Sequence, residues 1–562
     1  MKECPQCHRS YQDETLNYCL DDGRELLYGP AGKTDPETAI LTSETPTRTH
    51  SIDDLRKDSL PPVHLPRADP RKWALLIVIP VIAVAGYLFY RFTATSSSTA
   101  KQIETIAVLP ISNETANPDI EYLSDGLTES LISSLSQLPQ LSVKARSSVF
   151  RYRGSDTDLK KIGHDLGVEA LLTGRMVQRG TDVRVDMELV EAATEKVLWK
   201  ADYHRSMSDL AALEGDLSRA ISDQLRSRLA GGSDNHAVGL HTENAEAYEN
   251  YLKAQYHRGA SQEQINQSME FYNKAIALDP NYAMAYIGLA EAYMSLGGVF
   301  GYASPRETYP KAFEALKKAL SINPNIAGVH YGMAEYFMLY EWNWDASHTE
   351  LETGLRLDPN SSELHSSYGT YLESVKKFDE AVREREIARK LDPMTSTTTA
   401  DVGYPLYYAR RQQEAIENFQ KGVDMDPSDP WPRLWIGQSQ LDMKNFPDAI
   451  ANINKSNELS ERNVIRIIAT LGYAYAAAGR RDDALRVVDQ LKQYSKQKYV
   501  SPFFFAEIYS GLGEKDEAFR FLSEAVAERH PYLILANVEP VFDNLQSDPR
   551  FETVIDKIGI PH

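Results

Sequence analysis

The chain has 562 residues, enough for several domains, and its 80 acidic and 60 basic residues give a formal net charge of -20. This balance argues against nucleic acid as a partner of the chain, because the phosphate backbone is itself negative. The three cysteines, Cys4, Cys7 and Cys19, all lie near the N-terminus. The long remainder has no disulfides, so its stability must come from its own hydrophobic cores.

The first 27 residues contain a pattern typical of a metal-binding knuckle. Cys4 and Cys7 form a C-x-x-C pair, a tight turn that directs two thiolates at one ion. Cys19 supplies a third thiolate, and Asp22 stands where a second C-x-x-C would place the fourth. The stretch resembles a small zinc ribbon with one cysteine replaced, which predicts zinc bound by these four residues, with His8 as an alternative fourth ligand.

Two other interpretations of this head remain open. The letters CPQCH also match the C-x-x-C-H haem attachment motif, although no signal segment precedes them. The knuckle is alternatively a degenerate one that binds no metal. A unit of about 25 residues has too small a core to fold alone, so a folded head requires the metal.

Residues 28–72 carry seven prolines and many Ser, Thr and charged residues without a sustained apolar period. This composition predicts a disordered tether. Residues 93–102, rich in Ser and Thr, form a second, short spacer.

Residues 73–92 form the long apolar run of the sequence and predict a transmembrane helix. The run has no charge from Trp73 to Tyr90, and those 18 residues span roughly 27 Å as a helix, close to the ~30 Å core of a bilayer. A buried helix of a soluble domain is disfavoured because no polar face interrupts the run. A cleaved signal peptide is disfavoured because such segments begin near the first residue.

The orientation of this span follows from the basic residues around it. Arg56, Lys57, Arg67 and two more basic residues precede the span, whereas few follow it closely. The positive-inside rule then places the N-terminus in the cytoplasm and the long C-terminal part outside it. We therefore expect a single-pass protein of a bacterial inner membrane.

Residues 103–231 predict a compact α/β domain with the order βαβαβββα. A β-branched run at 106–109 indicates a buried strand, and the next segment has leucines at helical spacing with Ser124 or Asp125 as its cap. Residues 141–152 predict a second strand, and Gly167 closes a second helix.

The second half of this domain alternates apolar and polar residues at Val183, Val185, Met187 and Leu189. That period of two predicts an antiparallel meander with one solvated face. Nothing here pairs a nucleophile with a base at a recognisable spacing, so we expect no catalytic site.

Residues 106–203, from IAVLPISN to VLWKADY, resemble the TolB-like amino-terminal domain of bacterial membrane-anchored proteins with helical repeats, the type found in CadC-like regulators and adenylate cyclase-associated proteins. In that family the cytoplasmic end often carries a winged helix or a kinase. This chain has only the ribbon-like head there, so the resemblance implies the domain and its membrane-anchored setting but no transcriptional or kinase output.

Residues 242–531 contain a repeat of about 34 residues. Prolines mark its phase, and a small residue lies twelve positions before each one, where two helices of a pair must pack tightly. The prolines are Pro280, Pro324, Pro359, Pro393 and Pro427, and the small residues are Ser268, Ala312, Ser347, Ala381 and Ala415.

The helical pattern at Tyr286, Leu289, Ala290 and Tyr293 resembles the tetratricopeptide repeat (TPR). About eight units are expected, followed by a C-terminal cap at 532–562. Stacked units of this family form a superhelix with an extended concave groove.

The first helices line such a groove and place polar and aromatic side chains in it, which suits an extended peptide, although each of these side chains is alternatively only solvated. The predicted groove residues are Ile287, Glu291, Tyr331, Glu335, Ser366 and Thr370.

The sequence thus predicts a mainly α-helical protein. A TPR solenoid follows a small α/β TolB-like domain, one transmembrane helix and a zinc-ribbon-like knuckle. We expect a non-enzymatic scaffold that binds a protein partner through its extracytoplasmic solenoid and signals to the head, since no phosphate loop, nucleophile elbow or HExxH motif is present. The alternative is a ligand-sensing receptor that uses the α/β domain.

Overall fold

The computed structural model describes residues 103–115, 120–136, 138, 140–154, 158–226, 242–298, 301–461 and 464–561, together with three two-residue strands near the N-terminus. None of the helices in these ranges is long and apolar enough to cross a bilayer. The predicted span at 73–92, most of the tether at 28–72 and the spacer at 93–102 lie outside the described residues.

The N-terminal strands form a small antiparallel sheet. They are β1 (Lys2–Glu3), β2 (Ser10–Tyr11) and β3 (Leu27–Tyr28), in the order β2-β1-β3. The predicted metal ligands Cys4, Cys7, Cys19 and Asp22 lie outside the described residues. No group of three or more potential metal ligands occurs in the part of the chain that is described.

A mixed sheet forms the centre of the α/β domain. Its path is β6-β4-β7-β8-β9, and β5 adds to β7. The strands are β4 (Thr105–Val108), β5 (Ser112–Asn113), β6 (Ser142–Val143), β7 (Ala170–Arg179), β8 (Asp182–Glu191) and β9 (Val197–Ser206).

The two halves of this sheet differ in the way that the sequence predicts. β4 runs parallel to β6 and β7, and its Ile106, Ala107 and Val108 are fully buried, as expected for a strand covered on both faces. β7, β8 and β9 form an antiparallel meander in which Val183, Val185 and the other alternating apolar residues are buried. The predicted meander is therefore confirmed.

Four helices accompany the sheet. They are α1 (Glu121–Ser136), α2 (Arg146–Phe150), α3 (Leu159–Leu166) and α4 (Leu210–Arg226). The expected closure of α3 is confirmed, because Gly167 has a left-handed φ of 63° there.

Two predictions in this domain are wrong. Ser124 and Asp125 do not cap α1, which already contains Glu121: the Ser124 hydroxyl donates to the Glu121 carbonyl at 2.9 Å, and Asp125 pairs with Arg153. The expected strand at 141–152 is reduced to β6 followed by α2. Its Ser148 instead donates a hydrogen bond to Asp392 in the repeats, so tertiary packing overrides the local β propensity.

Eight antiparallel helix pairs follow between Ala245 and Ala527 within the described ranges. The first helix of each pair is termed helix A and the second helix B. Repeats 1 to 4 comprise Ala245–Tyr256 with Gln262–Leu278, Ala283–Gly297 with Pro305–Ile322, Ala327–Tyr336 with Trp344–Leu357, and Ser362–Ser374 with Phe378–Leu391.

Repeats 5 to 8 continue the array, although helix A of repeat 5 is split into Ser396–Ala400 and Gly403–Tyr408. Its helix B is Gln412–Met425, and the remaining pairs are Pro430–Asp442 with Phe446–Leu459, Ile465–Ala477 with Arg481–Tyr494, and Pro502–Gly511 with Lys515–Ala527. Two short 3-10 helices, Pro531–Leu535 and Pro540–Phe542, and a final helix, Pro549–Ile558, complete the chain.

The small residues predicted at the helix contacts are buried in all five cases. The hydroxyl of Ser268 donates to the Ala254 carbonyl, and that of Ser347 to the Ala334 carbonyl, both at 3.0 Å. These bonds join helix B to helix A of the same repeat, so a larger side chain would push the two backbones apart. The predicted close approach of the paired helices is confirmed.

Candidate binding groove

The A helices of repeats 2 to 7 line a cavity of about 730 Å³, here termed the inner groove. Its polar and aromatic lining residues are Ser133, Arg258, Glu291, Ser295, Tyr309, Tyr331, Glu335, Asp358, Ser361, Glu363, Thr370, Glu373, Arg385, Thr397, Asp401, Tyr404, Tyr408, Trp431, Trp435, Arg466 and Tyr532. A cavity of this volume is in the range that holds small ligands or a few residues of peptide.

Four of the six residues predicted for the groove line it: Glu291, Tyr331, Glu335 and Thr370. Ile287 is buried in the helix core and lines a smaller adjoining cavity of about 170 Å³.

Ser366 is not among the lining residues of either cavity. Its backbone carbonyl accepts a hydrogen bond from the Thr370 hydroxyl at 3.4 Å. It therefore acts on the groove only through the position of Thr370.

Arg385 forms the first of two buried ion-pair clusters that the sequence did not reveal. Its guanidinium donates to Glu373 at 3.0 and 3.2 Å and to the Thr370 hydroxyl at 2.8 Å, and it lies 3.6 Å from Asp401. Its carbon is also 5.3 Å from the ring centroid of Tyr404. Two carboxylates therefore share one cation at the wall of the groove.

Burial opposes ionisation of these two carboxylates. It raises the pKa of Glu373 to about 7 and that of Asp401 to about 6, and the positive charge of Arg385 offsets part of each shift. Since two carboxylates share one guanidinium, a further positive charge in the groove would favour the ionised form of both groups.

Arg466 forms the second buried cluster. It donates to Glu507 at 2.7 Å, and the exposed fractions of the two side chains are only 6% and 2%. The second carboxylate oxygen of Glu507 is buried without a hydrogen-bond partner among the described residues. Burial raises the pKa of Glu507 to about 7, against the opposite effect of Arg466.

Glu335 lies on the groove wall and is in no ion pair among the described residues. It accepts a hydrogen bond from the Ser367 hydroxyl, and burial raises its pKa. Glu291, also on the wall, pairs with Arg258 at 3.2 Å, and Arg258 lies 3.4 Å from Glu129 of α1. Arg258 therefore links the groove to the α/β domain.

The lining charges are unbalanced. Six carboxylates, at residues 291, 335, 358, 363, 373 and 401, face three guanidiniums, at residues 258, 385 and 466. The seven aromatic side chains of the lining add negative ring faces that attract cations. The inner groove is thus suited to a positively charged group.

The C-terminal segment closes one side of the groove, which differs from the open, extended groove that the sequence predicted. Pro531, Tyr532, Ile534 and Leu535 lie in its wall. The reason is that the array curves far enough for its end to reach the early repeats.

Specific contacts hold this closure together. The Trp344 indole donates to the Ile558 carbonyl at 3.0 Å, and the Arg529 guanidinium lies 4.1 Å from the ring centroid of Trp342. Tyr407 donates to Glu539 at 2.8 Å. Trp344 therefore contacts the cap, and Trp342 contacts Arg529, which lies just before the cap.

The α/β domain contributes to the opposite side. Ser133 of α1 lines the groove. The domain is fixed on the repeats by Lys144, which donates to the Lys390 carbonyl at 2.6 Å, and by Asn360, which donates to the Leu141 carbonyl at 3.0 Å. The groove thus has walls from three parts of the chain.

The arginines of the groove carried a weak sequence signal. Arg466 interrupts the apolar run VIRIIATL at the start of an A helix. A charge within such a run is expected to be buried and therefore to pair with an opposite charge. Arg385 lies in helix B of repeat 4, and Arg258 follows helix A of repeat 1, so neither occupies a position that groove periodicity selects.

Two segments match known families. Residues 101–222 match the family described as HilA/YgeH-like transcriptional regulator, second domain, and residues 260–297 match the TPR repeat family.

A curated relative is "Putative adenylate cyclase 3" of Rhizobium meliloti (strain 1021), which is 30% identical over 189 residues. The match covers 33% of this chain and 32% of that protein. The chain therefore spans about a third of the length of the curated relative that it matches.

Solved structures similar to parts of the chain include that described as "Functional Characterization of Pseudomonas Aeruginosa pilF", with 22% identity, coverage of 39% of this chain and 94% of that one, and a TM-score of 0.30. Another is "Human IFIT1 dimer with PPP-AAAA", with 14% identity, coverage of 62% and 80%, and a TM-score of 0.39. The family match and the helix pairs agree that this chain carries tetratricopeptide repeats behind a small domain with a mixed sheet.

Proposed function

We propose that this protein is a non-enzymatic, membrane-anchored scaffold whose inner groove binds a short, extended, basic segment of a partner protein. The observation that carries the proposal is the excess of six carboxylates over three guanidiniums on the groove wall. An Arg or Lys side chain that enters beside Glu335 would find an acidic group that is in no ion pair among the described residues.

The closure of the groove supports an extended segment rather than a folded domain as the ligand. With walls from α1, the repeats and the C-terminal segment, the cavity of about 730 Å³ has room for a few residues of chain. Aromatic side chains such as Tyr331 and Tyr404 supply flat surfaces for the aliphatic parts of long basic side chains.

Photo-crosslinking from intact membranes tests this proposal. A benzoylphenylalanine at position 331 faces the groove, whereas the same probe at position 314 lies on an exposed B helix. We expect probe 331 to capture a partner peptide that carries Arg or Lys, and probe 314 not to capture it. Capture of a peptide without basic residues, or equal capture at both positions, would contradict the proposal.

The membrane setting of the scaffold is a proposal that rests on the sequence. The apolar run at 73–92 would anchor the chain in a bacterial inner membrane, with the N-terminus in the cytoplasm and the TolB-like α/β domain and the repeats outside. A reporter fused after His562 that is active only in the cytoplasm would contradict this orientation.

For the N-terminal head we propose a zinc site formed by Cys4, Cys7, Cys19 and Asp22, with His8 as the alternative fourth ligand. The antiparallel pairing of β1 with β2 supports it, since Cys4 and Cys7 then lie in the segment that joins two paired strands. Metal analysis after purification without chelator is expected to give one zinc per chain and none for Cys4→Ser.

A ligand-sensing receptor is the second candidate. The observation in its favour is that Ser133 of the α/β domain lines the groove and that Arg258 joins Glu291 to Glu129. A ligand in the groove would therefore contact the domain that we propose to stand next to the membrane. A thermal shift with a small cationic ligand, together with no captured protein, would favour this candidate.

A further inference from the structure

The outer edge of β9 is a surface that the proposed function does not use. β9 ends the path of the mixed sheet, and among the described residues only β8 pairs with it. The strand is ten residues long and contains neither Pro nor Gly. Its first residue, Val197, is one of the most exposed large apolar side chains in the described chain, at 48%. Its pairing with β8 shifts register once, between Leu189 and Val190, and is regular from Trp199 to Ser206. A long edge of this kind is a template for another strand.

The sequence of β9 is self-complementary about Ala201. If two copies pair antiparallel around an axis through Ala201, Lys200 of one copy lies opposite Asp202 of the other, twice per dimer. In the same register Trp199 lies opposite Tyr203, again twice. Directly opposed side chains lie on one face of a sheet, so these are cross-strand charge and aromatic pairs.

The faces of β9 agree with this register. Lys200 and Asp202 are exposed, and Lys200 already forms a 2.6 Å ion pair with Glu188 on that solvated face. Trp199 and Tyr203 pack partly against the core on the other face. Neighbouring registers are unfavourable: an axis through residue 200 places Lys opposite Lys, and one through residue 202 places Asp opposite Asp.

We propose that the partner of this edge is a second copy of the chain, joined through β9 to β9 in antiparallel pairing centred on Ala201. The two sheets then form one continuous sheet across the dimer, with backbone hydrogen bonds between the two β9 strands. The charge pattern selects the register, and the ladder of backbone hydrogen bonds supplies the affinity.

Disulfide trapping in the full-length chain, in membranes, tests the register. Ala201→Cys lies on the axis and meets its own copy, and directly opposed residues have Cβ atoms about 4.5–5.5 Å apart. His204→Cys is the matched control, because residues three positions from the axis are separated by roughly 20 Å from their copies. We expect an oxidant to crosslink Ala201→Cys and not His204→Cys, above the background of the unsubstituted chain. Equal crosslinking, or none, would overturn the proposal.

Charge exchange provides a second test that does not depend on oxidation. Lys200→Asp places two carboxylates opposite each other in the homodimer, and Asp202→Lys places two ammonium groups opposite each other. We expect each variant alone to dimerise at least about tenfold more weakly than the unsubstituted chain in sedimentation measurements. A mixture of the two variants restores both opposite-charge pairs and should form heterodimers. Failure of the mixture to recover dimerisation would overturn the pairing.

Discussion

The ion pairs at the inner groove differ from those on the exposed B helices of the same repeats in burial and in the sequence separation of their partners. On the B helices, pairs such as Lys317 with Glu314 at 2.8 Å join residues three or four positions apart and are largely exposed. In the two clusters around the groove arginines, Arg385 pairs with Glu373 and Arg466 with Glu507 across different helices, and all four side chains are buried. Exposed local pairs contribute little to stability, whereas a buried charge that loses its partner is costly.

This difference indicates which charges the fold depends on. An exposed ion pair can be broken with little loss of stability because water solvates the charge that remains. Arg385 and Arg466 have no such solvation, and they compensate carboxylates that burial would otherwise protonate. The groove therefore combines a structural requirement for these two buried arginines with a surplus of acidic groups for a ligand.

The largest effect is expected for Arg466→Met, which leaves Glu507 buried without its cation. The free energy of unfolding should fall by about 3–5 kcal/mol, as urea denaturation can measure. Arg486→Met is the matched control, since that guanidinium is 72% exposed. The double variant Arg466→Met with Glu507→Gln should recover much of the lost free energy of unfolding. An equal loss in Arg486→Met would contradict the difference between buried and exposed ion pairs.

Stability should also depend on pH in the window set by the buried carboxylates of the two arginine clusters. Glu373 and Glu507 have pKa values of about 7 in the folded chain, and ordinary values near 4.3 apply once it unfolds. Because the pKa is higher in the folded state, the unfolded chain binds fewer protons at these two groups between about pH 4.3 and 7 than the folded chain does. The stabilising contribution of these two groups is therefore fully present below about pH 4.3 and is lost as the pH rises through about 7.

We expect a loss of about 2 kcal/mol from each of these two groups between pH 5.5 and pH 8. Urea denaturation at both pH values measures it. Glu507→Gln, which cannot ionise, should show a smaller difference between the two values. A difference as large as that of the unsubstituted chain would show that Glu507 is not one of the responsible groups.

The closure of the groove by the C-terminus should contribute a smaller amount. Trp344→Phe removes the hydrogen bond from the indole to the Ile558 carbonyl and keeps an aromatic ring in place. The expected loss is about 1 kcal/mol, and protection of the backbone amides of Pro549–Ile558 against hydrogen exchange should fall. Unchanged protection would indicate that the cap is held by its other contacts alone.

The smallest effect is expected on the exposed side of the comparison. Lys317→Ala breaks the pair with Glu314 at the surface of helix B of repeat 2. The free energy of unfolding should change by less than about 0.5 kcal/mol. A loss above 1 kcal/mol would mean that exposed pairs and groove pairs do not differ as proposed.

Regular elements of this molecule were predictable because periodicity determines them. The meander follows from alternation at Val183 and Val185, and the contacts within the helix pairs follow from small residues such as Ser268 and Ser347. Glu291 and Glu335 were found because helix A positions recur with the repeat.

The features that prediction missed depend on contacts distant in sequence. α2 replaces an expected strand because Ser148 binds Asp392, which lies 244 residues later. The closed groove depends on Trp344 meeting Ile558, 214 residues away. A local sequence pattern does not reveal contacts between residues so far apart. Sequence periodicity therefore predicted the inner wall of the groove, but it predicted the groove as open.

A titration with two peptides of opposite charge tests the central claim most directly. The ligands are two extended hexapeptides with the same aromatic residues, one with three arginines and one with three glutamates. The unsubstituted chain should bind only the arginine peptide, and Glu335→Gln should weaken this binding by about tenfold, or ~1.4 kcal/mol, while Glu314→Gln should leave it unchanged. Equal binding of both peptides, or an equal loss in the two variants, would contradict an acidic groove as the binding site.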